Sequence, residues 1–95
     1  MRARFCAYVL ANEAFLLATW HPDTRPDSVL FPDDVQWESL VVIDASGGAL
    51  DTVGTVEFKA RFRRNDVPLE LHELSSFDRI DGKWLYTTGS DPDAA

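Results

Sequence analysis

From Val56 to Arg63 the chain alternates strictly. Val56, Phe58, Ala60 and Phe62 are apolar, while Glu57, Lys59, Arg61 and Arg63 are charged. A period of two marks a strand with one buried face. Leu69, Leu71, Glu73, Ser75 and Phe77 repeat the pattern, with a carboxylate inside the apolar set. The spacing predicts four strands: Trp37 to Ala45, Thr52 to Arg63, Leu69 to Ile80 and Lys83 to Thr88. Two short helices precede them. Arg2 to Leu10 is rich in helix formers, and Arg4 and Tyr8, four apart, share a face. Asn12 is placed to cap a second helix, with Glu13 near its positive end. That helix carries Phe15, Leu16 and Leu17 and stops near Trp20, because Pro22 follows His21. The segment "HPDTRPDSVLFPDD" reads as an ordered loop, with room for one helical turn from Asp27.

Turn residues set the pairing. A two-residue turn at Asp81-Gly82 places Arg79 opposite Trp84 and Phe77 opposite Tyr86. A turn at Asn65-Asp66 places Phe62 opposite Leu69, Ala60 opposite Leu71, Arg61 opposite Glu70 and Phe58 opposite Glu73. A tight turn at Gly47-Gly48 would set Trp37 opposite Phe58 and Val41 opposite Gly54. It would also set Asp44 against Asp51, so a loop longer than two residues is expected there. One face then collects Trp37, Val41, Ile43, Val56, Phe58, Ala60, Phe62, Leu69, Leu71, Phe77, Trp84 and Tyr86, with Glu73 among them. The helices are the elements available to cover it. The other face mixes Leu40, Val42, Val53, Leu74 and Leu85 with Glu57, Lys59, Arg61 and His72. Such a surface suits a subunit contact, and a homodimer through Leu40, Val42, Val53 and Leu85 is expected.

Length and composition narrow this picture. The chain has 95 residues, enough for one domain, taken as residues 1–88 with an acidic flexible tail over 89–95. Apolar residues make up 45%, which favours folding over disorder. A formal charge of -7 argues against nucleic acid as a partner, and the one basic cluster, Arg61 to Arg64, is flanked by acids. Cys6 is the sole cysteine, so a cysteine-rich zinc site is excluded and a reducing, cytoplasmic setting is the simpler reading. Arg2 and Arg4 before an apolar run loosely imitate a signal peptide, but Asn12 and Glu13 interrupt it. No stretch has the length of a membrane span, so no membrane partner is expected.

Two helices in the bend of a four-stranded antiparallel sheet define a cone-shaped α+β fold. The nuclear transport factor 2-like superfamily has this shape. The phrases "MRARFCAYVLANEAFLLATWHPDTRP", "GTVEFKARFR", "LHELSSF" and "DGKWLY" resemble the central domain of the bacterial YchJ-like family, in that family's order and over nearly the whole chain. Within them the matching polar positions are Arg4, Tyr8, His21, Arg25, Glu57, His72 and Glu73. Where the family commonly has a basic residue after the His-Glu pair, this chain has Leu74. Longer members of the family carry flanking cysteine-rich SEC-C segments that look zinc-binding. This sequence shows neither, so the resemblance implies a fold and no metal.

Glu73 is the sharpest chemical candidate. A carboxylate among apolar side chains suits acid–base work tuned towards neutrality, and the resemblance to cone folds implies such groups inside the cone. It equally suits a structural partnership with Arg4, Tyr8 or His21. His21, at the exit of the second helix, is either the acid–base partner of Glu73 or a cap for the helix carbonyls. His72 alternates to the opposite face. Arg4, Tyr8, His21, Trp37, Phe58 and Glu73 are the expected pocket residues. There is no phosphate loop, nucleophile motif or ligand spacing for a metal, so no cofactor is expected. The leading expectation is a module binding a small molecule or a protein. The alternative is a small dehydratase, isomerase or hydrolase working through Glu73 and His21.

Overall fold

A computed structural model describes residues 1–48 and 50–93. The elements run α1 (Arg2–Val9), α2 (Glu13–Ala18), β1 (Val35–Ser46), β2 (Val53–Arg64), β3 (Val67–Ile80) and β4 (Lys83–Ser90). The strands form one antiparallel sheet in the order β1-β2-β3-β4. The two helices complete the α+β cone expected from the pattern. Asn12 caps α2 by accepting the Phe15 amide at 3.1 Å. No third helix forms among the described residues, and Asp27 lies in an irregular stretch where the prolines withhold amide donors. Glu13 fastens this loop by accepting the Val29 amide at 3.1 Å.

The two predicted tight turns hold to the residue. Asn65, Asp66, Asp81 and Gly82 all have positive φ, as the tight hairpin geometry requires. Phe58 accordingly faces Glu73, Arg61 faces Glu70, Phe77 faces Tyr86 and Arg79 faces Trp84. The Arg61 and Glu70 side chains meet at 3.7 Å, and Arg79 lies 5.5 Å from the Trp84 ring centre.

The β1–β2 hairpin differs from the tight-turn arithmetic. Its connection spans residues 47–52, and the part at Ala49 lies outside the described residues. Two irregularities, between Trp37 and Ser39 and between Val42 and Asp44, each insert an extra residue into β1. Trp37 therefore pairs with Phe62 rather than Phe58, and Val41 with Lys59 rather than Gly54. Each insertion reverses the alternation. Leu40 and Val42 fall beside Ala60 and Phe58 on the inner side, while Val41 and Ile43 are exposed. The outer-face placement of Leu40 and Val42 is thus corrected.

The core is small. Ala7, Leu16, Phe58, Ala60 and Tyr86 are its buried apolar residues. Gly54 is buried opposite Phe77, where an added Cβ would lie 2.7 Å from the Ser46 carbonyl oxygen and 3.3 Å from the Trp84 ring. At the other end, Gly89 and Ser90 continue β4 instead of starting the tail, and Ala94 and Ala95 lie outside the described residues.

Candidate functional site

The concave side of the sheet and α1 enclose a cavity of about 210 Å³. Its walls include Arg4, Phe5 and Tyr8 from α1, Trp37 and Leu40 from β1, Phe58 and Ala60 from β2, Leu71 and Glu73 from β3, and Tyr86 from β4. Helical spacing turns Arg4 and Tyr8 to one face. Alternation brings Phe58, Ala60, Leu71 and Glu73 to the same side of the sheet. A larger depression of about 590 Å³ adjoins Tyr8, Phe31 and Trp37, but among the described residues Asp33 is the only charged one on its walls.

Arg4 is held by rings. Its guanidinium carbon lies 3.7 Å from the Tyr86 ring centre, 4.5 Å from that of Trp20 and 5.6 Å from that of Tyr8. Its Nη2 donates to the Tyr8 hydroxyl at 3.5 Å, while Nη1 is buried without a partner. Burial lowers the Arg4 pKa, opposed by the neighbouring Tyr8, Tyr86 and Glu73. The rings are themselves fixed. Trp20 and Tyr86 pack edge to face at 4.9 Å, and the end of α2 pairs with β4 through two backbone bonds. Tyr86 N–H donates to Thr19 at 2.9 Å, and His21 N–H donates to Tyr86 at 2.7 Å. Desolvation, with help from Glu73 and against the pull of Arg4, pushes the Tyr86 phenol up to about 12. It therefore stays neutral and can both donate and accept.

Glu73 points into this cavity, but its bonded partner is none of those expected. Its Oε2 accepts the Ser75 hydroxyl at 2.5 Å. Ser75 is fully buried, two residues further along the same face of β3. Arg4 feels the Glu73 charge, yet the two form no direct ion pair. Gly89 makes the room: a Cβ there would fall 2.4 Å from the Glu73 carboxyl carbon. Ser75 and Gly89 are the site residues that sequence reasoning missed. The place of Ser75 in the inner alternating set was the available signal.

Arg4, Tyr8, Trp37, Phe58 and Glu73 thus come together, and His21 does not. The His21 ring is largely buried but lies away from the cavity. Its Nδ1 accepts the Asp23 amide at 3.0 Å, and its Nε2 lies 3.7 Å from Asp78. It does not cap α2 either. Thr19 does so by donating its hydroxyl to the Phe15 carbonyl at 2.8 Å, and Arg25 takes the Trp20 carbonyl. The backbone pairing with Tyr86 fixes the direction of His21, and no sequence pattern reports it.

On the convex face His72 stands between Glu57, 2.6 Å from Nε2, and Asp93, 2.8 Å from Nδ1. The two carboxylates, Asp93 first, raise its pKa above the ordinary 6.5. The folded chain therefore holds this proton more tightly than the unfolded one. The contact is complete below 6.5 and is lost as the pH rises through the raised value. An NMR titration of the His72 ring should give a midpoint above 6.5, lowered by Asp93→Asn. A midpoint at or below 6.5 would show that the C-terminal contact is not made. Among the described residues, no group of three or more His, Cys, Asp or Glu side chains is arranged to hold a metal ion. No described helix is long and apolar enough to cross a membrane.

A short helical pair laid across the hollow of a curved antiparallel sheet, with a polar pair inside the hollow, defines an NTF2-like domain. The chain belongs to the family described as YchJ, middle NTF2-like domain, whose model matches residues 1–89. A UPF0225 protein of Streptomyces coelicolor is 43% identical over 90 residues, which are 94% of this chain and 69% of that one. A UPF0225 protein of Bordetella pertussis is 48% identical over 91 residues, 94% of this chain and 67% of its own. The chain spans 61% of a Streptomyces avermitilis relative. Among solved structures, a SEC-C motif containing protein from Rhodopseudomonas palustris superposes with a TM-score of 0.84 at 31% identity. That match covers 98% of this chain and 76% of the other. A SEC-C motif containing protein from Psychrobacter arcticus gives 0.76 at 27% identity, covering all of this chain and 58% of the other.

Proposed function

We propose that this domain is a cytoplasmic binding module that takes a small molecule into the cavity between α1 and the sheet, acting beside other domains. One observation carries the reading. A space of about 210 Å³ stays unfilled between α1 and the sheet, with Arg4, Tyr8 and Glu73 set among otherwise mostly apolar walls, the arrangement of a small-molecule site. The engagement of His21 with Asp23 and Asp78 leaves Glu73 without an imidazole, which favours binding over acid–base chemistry. In an NMR screen of small aromatic fragments, binders should shift the Tyr8, Trp37 and Glu73 amides and leave His72 and Asp93 unmoved. A screen in which no fragment shifts the cavity amides would remove the proposal.

Self-association through the convex face is a separate proposal. Val41, Ile43 and Val53 are its exposed apolar residues. Sedimentation at micromolar concentration should show a dimer, and a strict monomer would end the idea.

A further inference from the structure

We infer that the cavity takes an organic cation, an amine carried on a single apolar ring, with Glu73 as its counter-ion. The inference rests on the binding reading above and names its ligand class.

Glu73 is set in place by its own strand and the next. Ser75, fully buried, donates its hydroxyl to Oε2 and holds one side of the carboxylate. Gly89, across the ladder from Ser75, leaves the room in which the carboxyl group sits. Among the described residues, Glu73 enters no ion pair and no group donates to its Oε1. The cavity therefore presents a charged acceptor that is oriented and still open.

Arg4 does not fill that role, and it does not serve an anion either. Its guanidinium carbon lies 3.7 Å from the Tyr86 ring centre and 4.5 Å from that of Trp20. Nη1 is buried there, and Nη2 donates to the Tyr8 hydroxyl at 3.5 Å. The guanidinium is thus engaged with the wall rather than with the cavity. A ligand carboxylate would meet Glu73 with no donor of Arg4 to hold it. A ligand ammonium donates straight to Oε1, a charge-assisted bond of about 2.8 Å. Arg4 opposes it only without contact, and attraction at contact outweighs repulsion across a longer gap.

The rest of the wall suits the same occupant. Phe5, Tyr8, Trp37 and Phe58 are aromatic, and the faces of such rings attract cations. Leu40 and Leu71 ask for an apolar body. Size limits that body to one ring. A dry cavity of about 150 Å³ holds a benzene molecule, and this one has about 210 Å³.

Four probes of one shape separate the possibilities: benzylamine, benzyl alcohol, toluene and benzoate. Each is titrated at a pH of about 7, where a primary amine is protonated, with the Tyr8 and Trp37 amide shifts as the readout. Benzylamine should bind at least about tenfold more tightly than each of the others. In Glu73→Gln, checked for folding by circular dichroism, its advantage over benzyl alcohol should be lost. If benzyl alcohol, toluene or benzoate binds the wild-type chain within about tenfold of benzylamine, the binding reading stands and the ligand class is wrong. The same holds if Glu73→Gln folds and keeps the advantage. If none of the four moves the cavity amides, both fall. The wild-type comparison decides the matter even if Glu73→Gln does not fold.

Discussion

Leu16→Ala is expected to lower the unfolding free energy by about 2–5 kcal/mol in urea denaturation. Leu16 is fully buried, the largest apolar side chain of which that is true. It lies in a helix of only six residues, far too short to persist without tertiary contacts. The same helix delivers Thr19 and His21 to the edge of β4 and Trp20 to the rings around Arg4. Loss of its anchor should therefore also disturb the cavity, seen as shifts at Tyr86. Leu17→Ala, at a half-buried position, should cost less. A loss below about 1 kcal/mol for Leu16→Ala would mean that α2 is not docked as described.

Phe58→Ala should cost about 3–5 kcal/mol. Its ring is 6% exposed, opposite Glu73 on one side and Val42 on the other. Few large side chains share its burial, and a domain has only about 5–15 kcal/mol in total. The variant should remain folded only narrowly, with a clearly lower midpoint in urea. Because the ring is also a cavity wall, the folded fraction should bind flat aromatic fragments more weakly. Unchanged stability would show that the sheet's hollow is loosely packed and that the cavity is not a defined site.

What the sequence revealed followed from where it constrained geometry. Asn65-Asp66 and Asp81-Gly82 are two-residue turns, so the register of β2 with β3, and that of β3 with β4 beside its turn, follow by counting. Glu73 could be placed inside the cone for the same reason. In β1 the run Leu40, Val41, Val42, Ile43 is apolar throughout and carries no phase information, so the two insertions left no trace. The partner of Glu73 was sought among cations and rings, while Ser75 stood two residues away on the same face. His21 was misassigned because its orientation depends on a bridge to Tyr86, a contact between segments far apart in the chain.

The insertion at Glu38 has a bearing on how such domains vary. Removing that residue would leave Trp37 facing in, Ser39 out and Leu40 in, so the strand could lose it without turning any later side chain over. What would change is the bend, since an extra residue in one strand of a pair curls the sheet. β1 is an edge strand bonded to β2 alone, so no second neighbour has to be re-registered. Length variation at this one strand is therefore a route by which relatives could deepen or flatten the hollow while keeping every residue that lines it.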